Sequence, residues 1–155
     1  MFYAESSFLV SLYSLDANWD AATRTMQASG GSCLITALGA FEAINAFGLR
    51  VFRKEVSAAQ AQASIADFEK DLRDGVFQIR GLSDEIFERA RLLSRQATPK
   101  LGTRAADLLH VAAALEFGAE YLFSFDQKQR KLARSLHLKL NRQRHQVRGC
   151  SGKWR

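Results

Sequence analysis

The chain has little of what marks several common classes of protein. Cysteine occurs twice in 155 residues, at Cys33 and Cys150, and the pair matches no metal-ligand spacing. That leaves no zinc signature; the expectation is two free thiols in a reducing cytoplasm. No uninterrupted apolar run reaches the length of a membrane span. The start lacks a basic leader and a small-residue cleavage site, so a cytoplasmic protein without a membrane partner is expected. There is no Gly-rich phosphate loop, and no Ser-His-Asp arrangement can be argued from spacing. Proline occurs once, at Pro99, in a stretch (Ala97 to Gly102) that reads as a loop. Hairpin signals, internal repeats and linkers that would split the chain are all missing.

What is present is an ordinary globular composition, 47% apolar and 25% charged, over a length that suggests one domain with a real core. The net charge of +6 is unevenly placed. Six basic residues fall in 139–155, Lys139, Arg142, Arg144, Arg148, Lys153 and Arg155, with no acidic residue among them. Removing those six from the 22 basic residues leaves 16, equal to the 16 acidic ones. The reading is a domain over 1–140 and a basic tail over 141–155. Such a tail is either a disordered, solvated extension or an attractor of nucleic acid.

Hydrophobic periodicity predicts alternating strands and helices. Strands are expected at Phe2 to Glu5, Cys33 to Thr36, Val76 to Ile79, Tyr121 to Ser124 and Leu138 to Leu140. Helices are expected after a Ser6 or Ser7 cap, then over Asn18 to Ser29, Leu38 to Lys54, Ala58 to Arg73, from Ser83 onward, over Thr103 to Phe117 and over Lys128 to Ser135. That alternation calls for an α/β fold, a parallel sheet of four to five strands with helices on both faces. Ligands of such sheets bind at the carboxyl ends of strands, near a switch in strand order.

Four carboxylates stand apart from other charges. Glu5 is the only charge in residues 1–15 and Glu42 the only one in 25–49. Asp107 lies in Ala-Ala-Asp-Leu-Leu-His, and Asp126 follows Leu-Phe-Ser-Phe. Glu5 and Asp126 fall at the ends of predicted strands, Asp107 near the start of a helix and Glu42 inside one. Each alone reads as well as a cap or half of a local ion pair. Gathered at one sheet edge, four like charges repel and need a cation or a shared proton. A hard divalent cation with oxygen ligands, Mg²⁺ or Mn²⁺, suits them best.

The same residues resemble the motifs of PIN-domain proteins, specifically VapC-type toxins of type II toxin–antitoxin pairs. Tyr3-Ala4-Glu5-Ser6-Ser7-Phe8-Leu9-Val10 is similar to the family's opening strand. Glu42, with Asn45, resembles its mid-chain Glu. Thr103 to His110, followed by Phe123-Ser124-Phe125-Asp126, resembles its third and fourth acidic motifs. The likeness covers about residues 1 to 140. It implies a PIN-like three-layer sandwich and a Mg²⁺- or Mn²⁺-dependent endoribonuclease. Glu5, Asp107 and Asp126 would hold metal directly or through water, with Glu42 completing the set. Ser7 and Ser124 would fix the strand ends or bind phosphate, and Arg104 would hold substrate phosphate or pair with an acid. His110, three residues after Asp107 on the same helix face, reads as a core or supporting histidine or as a further ligand. The implied partners are RNA, a cognate antitoxin and a second copy of the chain.

The family usually carries Asp where this chain has Glu5, which changes the reach by one methylene. A PIN-like module that binds RNA but cuts it weakly is therefore the alternative reading. A phosphoryl-accepting signalling domain also groups acids at strand ends. It calls for an acidic pair after the first strand and a late Lys, and this chain has neither.

Overall fold

The computed structural model of the chain describes residues 1–30 and 33–141. Its elements are β1 (Phe2–Ala4), α1 (Ser6–Tyr13), α2 (Trp19–Ser29), β2 (Cys33–Thr36), α3 (Ala37–Phe52), α4 (Ala58–Arg73), β3 (Phe77–Arg80), α5 (Asp84–Leu101), α6 (Ala105–Glu116), β4 (Tyr121–Phe123), α7 (Gln127–Ser135) and β5 (Lys139–Leu140). Neighbouring strands pair in parallel, in the order β3-β2-β1-β4-β5.

Strand side chains alternate between two apolar layers, as a period of two requires. Tyr3, Leu34 and Leu122 join Ile86 and Leu93 of α5, Val111 and Ala112 of α6 and Leu132 of α7. Ala4, Cys33, Ile35, Phe77 and Phe123 join Phe8 and Leu9 of α1, Ala22 of α2, Ala43 of α3 and Phe68 of α4. The sheet is thus covered on both faces, and its strands read as near-continuous apolar runs. Burial pushes the Cys33 thiol up to about 12, so it behaves as a core side chain rather than a reactive one. Cys150 lies outside the described residues. Among the described residues, no helix is long and apolar enough to cross a membrane.

Two local expectations are corrected. Neither Ser6 nor Ser7 caps α1. Glu5 does, its carboxylate accepting from the Ser7 and Phe8 N–H groups, with Ser6 already the first helical residue. And Ala97 to Gly102 is not a loop: α5 runs through Pro99 to Leu101. Its buried stripe of Ile86, Ala90, Leu93 and Ala97 keeps helical spacing into that stretch, so packing outweighs the proline. The helix ends at Gly102, whose left-handed φ of 60° lets its N–H bond the Thr98 carbonyl at 2.9 Å.

The strand order reverses beside β1, which pairs with β2 on one side and β4 on the other. The Glu5 N–H donates to the Phe123 carbonyl at 3.1 Å, extending the β1–β4 ladder by one bond. Asp126 follows three residues later as the N-cap of α7. The carboxyl ends of β1 and β4 therefore flank the switch point, where open parallel sheets form their crevice.

Candidate active site

Glu5 is buried, and its compensation comes from donors rather than from a basic partner. Oε1 accepts from the Ser7 hydroxyl and from Phe8 N–H at 3.1 Å; Oε2 accepts from Ser7 N–H at 2.9 Å and more distantly from Ser6 Oγ at 3.4 Å. The N-terminal end of α1 adds a favourable dipole. Ser7 also ties the two strand ends together, because its Oγ accepts from Phe125 N–H at 2.9 Å.

Asp107 and Asp126 are half-buried at the starts of two further helices. Asp107 Oδ2 accepts from Arg104 N–H at 2.8 Å. Asp126 Oδ1 caps α7 through Lys128 N–H and Gln129 N–H, and its own N–H donates to Ser124 Oγ at 3.0 Å. Lys128 Nζ reaches back to the Gly102 carbonyl at 2.8 Å, fastening the start of α7 to the turn before α6.

One side chain joins these acids. Gln129, only 3% exposed, donates its amide Nε2 to Glu5 Oε2 at 3.3 Å and to Asp107 Oδ1 at 3.2 Å. A single nitrogen thus stands between two carboxylates, and the Oε1 of the same amide is buried with no hydrogen-bond partner.

Glu42 lies on the far side of Ser6. Its Oε2 is 2.5 Å from His110 Nε2, and His110 Nδ1 is 2.7 Å from the Tyr3 hydroxyl, which lies 3.2 Å from Thr36 Oγ1. Gly39 N–H donates to that threonine. Every group in this buried chain finds one partner if His110 carries its proton on Nε2, so that Thr36 donates to Tyr3, Tyr3 to Nδ1 and Nε2 to Glu42. Burial works to raise the Glu42 carboxyl, but the hydrogen bond from His110, with help from the Ser6 hydroxyl, leaves it below the ordinary carboxylate range. That hydroxyl faces both Glu5 and Glu42, and its one proton serves one of them at a time.

The structure therefore brings Glu5 and Asp107 to one shared atom, and sets Asp126 one helical turn before the Gln129 that supplies it. Glu42 is reached through Ser6 and is held by His110. Ser7 and Ser124 hold the strand ends by hydrogen bonds, and the Arg104 side chain is exposed. Sequence reasoning missed Gln129. The available signal was a polar residue three positions after Asp126, on the helix face whose neighbours Leu132 and Ala133 are core.

The chain belongs to the PIN domain family, whose model matches residues 2–135. No curated protein shows significant similarity to it. Among solved structures, it resembles the sarcin-ricin loop cleaving toxin VapC20 of Mycobacterium tuberculosis, with 16% identity over 84% of this chain and 94% of that one and a TM-score of 0.65. VapBC2 of Rickettsia felis, bound to a DNA fragment from its promoter, matches at 18% identity over 90% and 97% with a TM-score of 0.60. A toxin–antitoxin complex from Klebsiella pneumoniae matches at 17% identity over 83% and 89% with a TM-score of 0.58. These likenesses are of fold.

PIN nucleases generally use a divalent cation, and the residues here can be tested against one. Among the described residues, no three His, Cys, Asp or Glu side chains form a metal-holding group. What converges instead is two carboxylates and an amide, with an unpartnered oxygen on that amide. The two carboxylates and the amide's free oxygen are ligands of the kind a hard cation such as Mg²⁺ or Mn²⁺ takes. The residues fit the group.

Proposed function

We propose that the chain is a Mg²⁺- or Mn²⁺-dependent endoribonuclease, the toxin of a type II toxin–antitoxin pair. The observation that carries this is the meeting of Glu5 and Asp107 on one donor atom at the switch point of a PIN fold. Glu5 and Asp107 would hold the cation, with Asp126 and Glu42 adding negative charge around it. When bound, the cation would supply an activated water and charge stabilisation at a phosphodiester. The chain's own residues do the rest. Ser7 and Ser124 fix the strand ends, so that the acids need not reorganise. Asp126 sets the first turn of α7, and His110 orients Glu42. Arg104, exposed and one turn before Asp107, would meet an incoming phosphate.

Partners follow from the same reading. Phe41, Leu49 and Phe52 of α3 leave large apolar area exposed, Phe52 at 83%. That surface is assigned to a second copy of the chain, with an antitoxin segment laid over the acidic crevice. A monomer by light scattering at micromolar concentration speaks against the dimer.

The commitment of Glu5 to its helix cap favours the second reading, a module that holds RNA and cuts it weakly. One experiment separates them. Single-stranded and structured RNA are incubated with wild type, Asp107→Asn and Glu5→Gln, with Mn²⁺ or with a chelator. The nuclease reading expects cleavage that needs the metal and is lost in both variants. RNA bound but left intact by the wild type, with metal present, returns the chain to a binding module.

A further inference from the structure

We infer that Gln129 is itself a cation ligand, which supplies a third oxygen between Glu5 and Asp107 by turning its amide over; this rests on the metal-dependent reading above. The amide nitrogen lies between the two carboxylates, 3.3 Å from Glu5 Oε2 and 3.2 Å from Asp107 Oδ1. In that orientation the amide hydrogens do a cation's work, holding two like charges side by side. The arrangement leaves Oε1 buried and unpartnered, an unfavourable position for a strong acceptor. Turning the amide half a revolution about its last side-chain bond exchanges the two atoms. Three oxygens then face one place, two carrying charge and one neutral, which is repulsive when empty and favourable around a hard cation. An amide oxygen is an ordinary ligand for such an ion.

The backbone has no need to move for this exchange. Gln129 N–H is held by Asp126 Oδ1 at 2.9 Å, and the side chain is 3% exposed, so the amide is confined to the crevice in either orientation. Asp126 thereby acts on the cation site through Gln129, by fixing the turn that carries it. Gln129 is a device with two settings: a donor to the acids when the site is empty and an oxygen ligand when it is filled.

The test measures Mn²⁺ binding to the full chain by calorimetry, for wild type, Gln129→Leu and Gln129→Glu. In parallel, the Gln129 side-chain amide signals are followed by NMR during a Mg²⁺ titration. Gln129→Leu keeps the bulk and removes the oxygen, so Mn²⁺ affinity falls by about tenfold or more. Gln129→Glu keeps an oxygen and adds charge, so affinity rises, and the amide signals of the wild type shift as Mg²⁺ saturates. Binding to Gln129→Leu as tight as wild type, or tighter, overturns the inference: the amide then only vacates the site, and the nuclease reading on Glu5 and Asp107 still stands. Absence of Mn²⁺ binding in wild type overturns both. If Gln129→Leu does not fold, judged by circular dichroism, the other two measurements decide. Weaker binding by Gln129→Glu, or amide signals that ignore Mg²⁺, then rejects the ligand role.

Discussion

Glu42 keeps its charge in a half-buried place because His110 donates to it from within the core. With burial opposed by that hydrogen bond and by the Ser6 hydroxyl, its carboxyl is held below the value it has in the unfolded chain. A depressed carboxyl contributes stability that is fully present above the unfolded value and is lost as pH falls through the folded one. In chelator, then, the melting temperature of wild type should exceed that of Glu42→Gln at neutral pH. The gap should close as pH falls from about 5 toward 3. Thermal melts across that range check it; a gap independent of pH means the pair adds no charge-dependent stability. The residue scale is also where reading the sequence reached least far. Glu5 is conspicuous as a lone charge among apolar neighbours, but that it caps α1 depends on backbone direction at the strand end. Gln129 carries no charge and has no spacing signature; its meaning comes only from Asp107 and Glu5, 22 and 124 residues away in the chain.

At the scale of elements, periodicity was informative wherever one face of a segment is buried. Cys33 to Thr36 and Ala58 to Arg73 fall where the pattern puts them, because four consecutive buried residues and a Ser57–Gln60 capping box are both local signals. α5 is the instructive departure. Proline lacks the N–H that would bond the Arg95 carbonyl four residues back, so Pro99 reads as a break. The helix continues because Ala97 is buried in line with Leu93 and because Gly102 closes the last turn. Those are tertiary facts. In a helix interior the missing N–H and the ring's contact with the carbonyl four residues back together cost roughly 3 kcal/mol. Pro99→Ala should restore that bond, and release of the unfolded chain should offset part of the gain. We expect a net stabilisation of about 1 kcal/mol by chemical denaturation. A loss of stability would mean that the proline fixes the approach of α5 to Thr103, whose hydroxyl lies 3.0 Å from that of Thr98.

For the whole molecule, alternation of strand and helix was enough to give a parallel sheet covered on both faces, because few topologies satisfy that pattern. It could not give the strand order, and the order is what places Glu5 and Asp126 at one crevice. Charge distribution adds a property that no single element carries. The chain through 138 is balanced, and the excess of +6 belongs to residues 139–155. Of those six basic residues Lys139 lies in β5, over the Tyr121 ring, and Asn141 is buried against Arg130. The other five, Arg142, Arg144, Arg148, Lys153 and Arg155, lie outside the described residues. If those five meet RNA phosphates, each releases counterions from a single strand. The logarithmic salt slope of RNA binding should then become shallower by roughly 3 to 4 when residues 142–155 are removed. Mn²⁺ binding at the site proposed on Glu5 and Asp107 should not change with the truncation, because those two residues and Gln129 all lie before residue 130. Filter binding across salt concentrations, on full-length and truncated chain with the catalytic step blocked by Asp107→Asn, measures the slope directly. A slope that ignores the truncation assigns RNA contact to the body of the domain and leaves the tail a solvated extension.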